Sequence, residues 1–178
     1  MKIFCFITGL LLCAATHGQG IYNLAVTTAG GGQVPLSSYS GQKIMFAVLP
    51  STQTADDTAY LAWVDSIALA DAGQLSVIAV PSYEDGYAAD SLNTLMSWYR
   101  AALDSSIAVS QPLYTHSSSG AQQDTVFSWL THTGQNGHFD YEVRGPGTMF
   151  FIDSQGQLYG LFGPEAKYST KVINRMML

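Results

Sequence analysis

The strongest constraint on the fold is the run Ile44-Met45-Phe46-Ala47-Val48-Leu49, stopped by Pro50 and followed by the small polar string Ser51-Thr52-Gln53-Thr54. A short, unbroken apolar run of this kind reads as a strand covered on both faces. From residue 55 to residue 69 the apolar side chains of Tyr60, Leu61, Trp63, Val64, Ile67 and Leu69 recur at helical spacing, and Ala72-Gly73 ends the pattern. Asp56 and Asp57 stand in its first turn, where carboxylates favour the positive end of a helix. The polar string therefore joins a buried strand to a helix start, which is where α/β sheets place ligands and reactive groups.

Residues 75–80 read as a second buried strand, stopped by Pro81-Ser82-Tyr83-Glu84-Asp85-Gly86. Strand, helix and strand in that order form a right-handed βαβ unit with a parallel pair. Upstream, residues 21–26 and 33–36 are expected to pair as a β-hairpin around Gly30-Gly31-Gly32, with a turn over 37–41. Downstream, Leu92, Leu95, Met96, Tyr99 and Leu103 mark a helix that Asp90 or Ser91 can cap. A short strand at 107–109, a Ser-rich loop at 117–120 and a helix over 124–131, with Val126, Phe127, Trp129 and Leu130 inward, come next. The loop 133–137 and residues 141–143 lead to a clear hairpin, 148–153 and 158–162 around Ser154-Gln155-Gly156-Gln157, and a short helix lies within 169–178. No repeat or linker interrupts this order, so residues 20–178 are expected to form one domain.

The first 19 residues have a different character. Lys2 precedes an almost unbroken apolar run over 3–13, and Ala14-Ala15-Thr16-His17-Gly18-Gln19 is small and polar. This is the layout of a signal peptide, too short to span a membrane, so the protein is expected to be exported, periplasmic or secreted. Cleavage after Ala15, Gly18 or Gln19 satisfies the small-residue requirement; acylation of Cys13 as a lipid anchor is the alternative. Both cysteines, Cys5 and Cys13, lie in this segment, so without that anchor the mature chain has no thiol for a disulfide, a thiolate nucleophile or a metal. Losing Lys2 also leaves six basic against thirteen acidic residues, which disfavours nucleic acid as a partner.

The order of elements and several strings resemble the glutathione peroxidase family of thioredoxin-like proteins. Gly20-Ile21-Tyr22-Asn23-Leu24 with Val34-Pro35-Leu36-Ser37-Ser38-Tyr39-Ser40-Gly41-Gln42-Lys43 looks like its opening hairpin, and Val77-Ile78-Ala79-Val80-Pro81 like its strand with a proline turn. Gln111-Pro112-Leu113-Tyr114, Phe127-Ser128-Trp129-Leu130 and Thr148-Met149-Phe150-Phe151-Ile152-Asp153-Ser154-Gln155-Gly156 look like later landmarks. The resemblance implies a thioredoxin-like α/β fold of the glutathione peroxidase type, with a central mixed sheet, helices on both faces and an N-terminal β-hairpin. Members that act as peroxidases reduce hydroperoxides with a cysteine or selenocysteine at the end of the central strand, helped by Gln, Trp and Asn side chains. Laid on this chain, the nucleophile position falls on Gln53, or on Thr52 if the loop shifts by one; the glutamine falls on Glu84, and the Trp-Asn pair on Gly145-Pro146. All depart from the pattern. An amide cannot attack a peroxide oxygen, and an unassisted hydroxyl has too high a pKa.

The resemblance so corrected implies a catalytically degenerate protein without thiol peroxidase activity. It would bind a protein or small-molecule ligand through Ser51, Thr52, Gln53, Glu84 and Pro146, with no cofactor. A residual redox enzyme relying on a partner's thiol is the alternative. Asp56, Asp57, Glu84 and Asp85 would make a cation-binding module if their two loops meet. His132, His138 and Asp140 bracket one loop and could hold a metal, but lack regular ligand spacing. Ser51, Thr52 and Thr54 read either as nucleophiles or as a helix-capping set. Tyr83, Tyr87, Trp98 and Tyr99 mark either a binding surface or core packing, and Pro146 either a cis peptide against the loop or a plain turn.

Overall fold

A computed structural model describes residues 20–86 and 92–178. The central strand β3 (Lys43–Leu49) pairs in parallel with β4 (Leu75–Pro81) on one side and antiparallel with β6 (Met149–Ile152) on the other. With β5 (Ala108–Val109) and β7 (Leu158–Phe162) at the edges, the sheet order is β5-β4-β3-β6-β7. A separate two-stranded hairpin, β1 (Ala25–Thr27) with β2 (Gln33–Pro35), precedes it.

The position of β3 at the middle of the sheet explains its composition. Every residue from Ile44 to Leu49 is fully buried, and successive side chains go to opposite faces. Met45, Ala47 and Leu49 pack under α1 (Ala55–Ala70), α2 (Leu92–Ala102) and α5 (Thr170–Met177). Ile44, Phe46 and Val48 pack under α3 (Thr125–Thr131), where Phe127 meets Phe46 and Phe150 edge-on. Helices thus cover both faces of a mixed sheet, as the resemblance implies. Residues 21–23 form a 3-10 turn instead of strand, so the hairpin pairs only from residue 25. Within α1, Leu69 is 54% exposed and Ala68 turns inward in its place. Residues 133–136, expected as loop, make the one-turn helix α4 (Thr133–Asn136), which the buried Asn136 pins. Its amide donates to the carbonyls of Trp129 and Phe139 and accepts from the amides of His138 and Phe139. Residues 141–143 form no strand. Trp98 packs partly buried against the core and Tyr99 is buried, while Tyr83 is 39% exposed; Tyr87 and the caps Asp90 and Ser91 lie outside the described residues.

Candidate functional site

Three segments meet where β3 ends: the loop 50–54, the turn 82–86 after β4, and residues 145–148 leading into β6. Backbone bonds tie the end of β3 to the third, since Gly147 N donates to Val48 O and Val48 N to Thr148 O, each at 3.0 Å. The Ser51 hydroxyl ties the first to the second by donating to the carbonyl of Asp85. A Cβ at residue 145 would stand 3.4 Å from Asp85 Oδ1, so Gly145, at φ +107°, allows the turn to close against it. Ser51, Asp85, Gly145 and Pro146 therefore belong to one patch. Pro146 is a trans residue in a plain turn, because no cis peptide occurs among the described residues.

The loop hydroxyls are committed to holding this geometry. Thr54 caps α1 in a reciprocal box: its Oγ1 accepts from Asp57 N at 3.2 Å, while Asp57 Oδ2 accepts from Thr54 N at 3.2 Å. The same carboxylate oxygen also accepts from Thr54 Oγ1 at 2.7 Å and Thr52 Oγ1 at 2.5 Å. From the core side, the buried Tyr99 hydroxyl donates to Pro50 O at 2.5 Å. Among the described residues none of these hydroxyls donates to a histidine, and Thr52 and Thr54 form a capping network around the Asp57 carboxylate. Gln53 alone in the loop is exposed with a side chain that makes no hydrogen bond among the described residues.

Glu84 has a structural part that its sequence position did not suggest. Its carboxylate accepts from Ser82 Oγ at 2.8 Å, Thr115 N at 3.0 Å, His116 N at 3.1 Å and Ser119 Oγ at 2.5 Å. Burial works to raise its pKa but is outweighed by the bonds from Ser119, Thr115 and Ser82, which together bring it down to about 2. Beside it, burial pushes the Asp85 carboxyl up against the opposing pull of His116. The His116 ring lies between two carboxylates, Nε2 3.8 Å from Asp85 Oδ1 and Nδ1 3.7 Å from Glu142 Oε1. Among the described residues Asp85 Oδ2 and His116 Nε2 are buried without a hydrogen-bond partner. Sequence reasoning missed His116, Glu142, Thr115 and Ser119. Two of Glu84's donors are backbone amides, which leave no mark in a sequence, and Ser119 reads there only as part of a Ser-rich loop.

The acidic residues do not form a common cation site. Asp56 pairs with Lys167 and accepts from the Tyr168 hydroxyl; Asp57 and Glu84 serve the networks above. The second metal candidate is also taken apart: His132 Nδ1 lies 2.9 Å from Ser128 O, His138 Nε2 3.3 Å from Gln157 Oε1, and Asp140 Oδ1 accepts from Thr133 N. Among the described residues no three His, Cys, Asp or Glu side chains gather into a metal-holding group.

No protein-family model matches this chain, and no curated protein matches it in sequence. Solved structures do. Trgpx in its apo form superposes with a TM-score of 0.67 at 13% identity, over 89% of this chain and 94% of that one. T. cruzi GPX1 gives 0.61 at 16% identity, over 89% and 97%. The exposed lipoprotein thioredoxin Etrx1 of Streptococcus pneumoniae strain TIGR4 gives 0.52 at 19% identity, over 85% and 98%. The fold is thioredoxin-like and matches structures of the glutathione peroxidase type over nearly their whole length. No helix among the described residues is long and apolar enough to cross a membrane.

Proposed function

We propose that this chain is an exported, catalytically degenerate relative of the glutathione peroxidases that works as a binding or interaction module. The observation that carries the reading is the chemistry of the loop 50–54. Residues 20–178 contain no cysteine, and the hydroxyls of Ser51, Thr52 and Thr54 are spent on Asp85 and Asp57. A thiol peroxidase needs a thiolate with donors around its leaving oxyanion. On the resemblance Glu84 stands at the position of the family's glutamine donor, and its carboxylate draws the neighbouring N–H and O–H groups to itself. Gln53 and Pro146, with the main chain of Ser51 and Thr52, form the recognition surface, and Glu84 braces the turn beside it.

The test is hydroperoxide consumption coupled to thioredoxin and its reductase, on protein purified after export. The expected result is no turnover above the enzyme-free rate; turnover by the unmodified protein overturns the reading. The Gln53→Cys variant then measures how much of a peroxidatic environment survives, and a thiol that consumes peroxide no faster than free cysteine is expected. Intact mass of the exported protein checks processing: a mature start between residues 16 and 20 is expected, and a lipidated Cys13 would replace the secreted form with an anchored one.

A further inference from the structure

An open groove of about 540 Å³ runs along the C-terminal half of α2, between that helix, the turn of the β1–β2 hairpin and the sheet edge at β5. The hairpin is held there by Ala29 N donating to Val109 O at 2.9 Å and Gln111 N donating to Thr27 O at 2.8 Å, so the groove is built by the main chain. Its floor is apolar. Leu103 and Ile107 are buried, and Tyr99 presents its ring there because its hydroxyl is engaged by Pro50 O. A second cavity of about 450 Å³ adjoins it and shares Ala29 and Arg100.

Arg100 stands at the junction of the two. It is exposed, and the described residues give it no ion-pair partner, whereas Arg144 pairs with Glu165 and Lys167 with Asp56. The carboxylate one turn further on, Asp104, accepts instead from the amide of Ser106 at 2.8 Å. On the second cavity's side of Arg100 lie the amides of Asn93 and Gln111, neither of which makes a side-chain hydrogen bond among the described residues. Asn93 and Arg100 are seven positions apart on α2 and so share one helix face.

We propose that this groove is a binding site for a medium-chain aliphatic carboxylate, with the carboxylate on Arg100, Asn93 and Gln111 and the hydrocarbon tail over Tyr99, Leu103 and Ile107. The chemistry selects the class. A groove of this size with an apolar floor and a few convergent polar groups is a usual form of a small-molecule site. A guanidinium without a counter-ion matches a carboxylate bidentately. A ligand cation would meet Arg100 itself, and a small inorganic anion would leave the rest of the groove unfilled. The site stands apart from the loop 50–54, and its fate does not depend on the reading of that loop.

Decanoate titrated into the ¹⁵N-labelled protein, with decanol and decyltrimethylammonium in parallel, tests it. The expected result is a saturable decanoate response confined to amides such as Ala29, Arg100, Leu103 and Val109, with decanol weaker and the ammonium compound silent. Arg100→Gln, at an exposed position and so without effect on the rest of the spectrum, is expected to weaken decanoate about tenfold and leave decanol unchanged. Absence of saturation, decanol binding as tightly as decanoate, or an Arg100→Gln protein with undiminished decanoate affinity would each overturn the assignment.

Discussion

Replacing Glu84 by Gln tests the claim that this side chain is a brace and not a ligand group. The carboxylate accepts five hydrogen bonds, from Ser82 Oγ, Thr115 N and Oγ1, His116 N and Ser119 Oγ. A glutamine offers one acceptor oxygen and turns an NH2 group toward donors, so at least two bonds are lost and a donor faces a donor. The ionisation gives a second route to the magnitude. A fall from the ordinary 4.5 to about 2 corresponds to roughly 3 kcal/mol favouring the charged form, and partial exposure of the carboxylate reduces this to about 2 kcal/mol. In a domain of this size that loss lowers Tm by about 4–8 °C. Because the folded pKa lies below the unfolded one, the contribution is complete above about pH 5 and disappears as pH falls through 4.5 toward 2. The assay is thermal and urea unfolding of both proteins from pH 7 to pH 2.5. The stability gap should be largest at neutral pH and shrink in acid. A gap below about 0.5 kcal/mol at pH 7, within the range of ordinary surface substitutions, refutes the brace, as does a gap that does not change with pH.

Asp85→Asn should act in the opposite sense: burial raises the native pKa of Asp85, so its charge costs stability above the unfolded value and the cost vanishes as pH falls. The variant is therefore expected to gain on the parent at pH 7 and to lose that gain in acid, read by the same unfolding curves. Thr54→Ala removes the capping box of α1 and should cost about 1 kcal/mol, whereas Gln53→Ala, one residue earlier and without a side-chain bond, should stay within about 0.5 kcal/mol of the parent. Chemical denaturation of the two variants side by side separates a structural loop hydroxyl from an exposed, uncommitted amide.

Much of the fold was legible in the residues because it follows from local periodicity. The unbroken run 44–49, the helical stripe after residue 55 and the hairpin around Gly156 each declare their element through burial pattern or turn chemistry, and each appears where expected. The failures were of one kind. Leu69 fits the helical stripe, yet α1 ends at its exposed side; residues 133–136 look like a loop, yet one buried amide, Asn136, closes them into a turn of helix. Those outcomes depend on what lies opposite, which no local pattern contains.

The same division holds for the site. The sequence by itself determined that the loop after the central strand has no cysteine and that its polar residues are Ser, Thr and Gln. Only the tertiary structure decided what those residues do. Thr52 and Thr54 are drawn to Asp57 within the same stretch, but Ser51 reaches the Asp85 carbonyl 34 positions away, and Glu84 finds its donors from Ser82 to Ser119. The physical reason is that a half-buried carboxylate takes whatever N–H and O–H groups the chain's return brings within reach, and two of Glu84's hydrogen bonds come from backbone amides carried by every residue type. Residue identity settles that the loop carries no cysteine; the packing of distant segments settles that Glu84 is held by donors from Ser82 to Ser119.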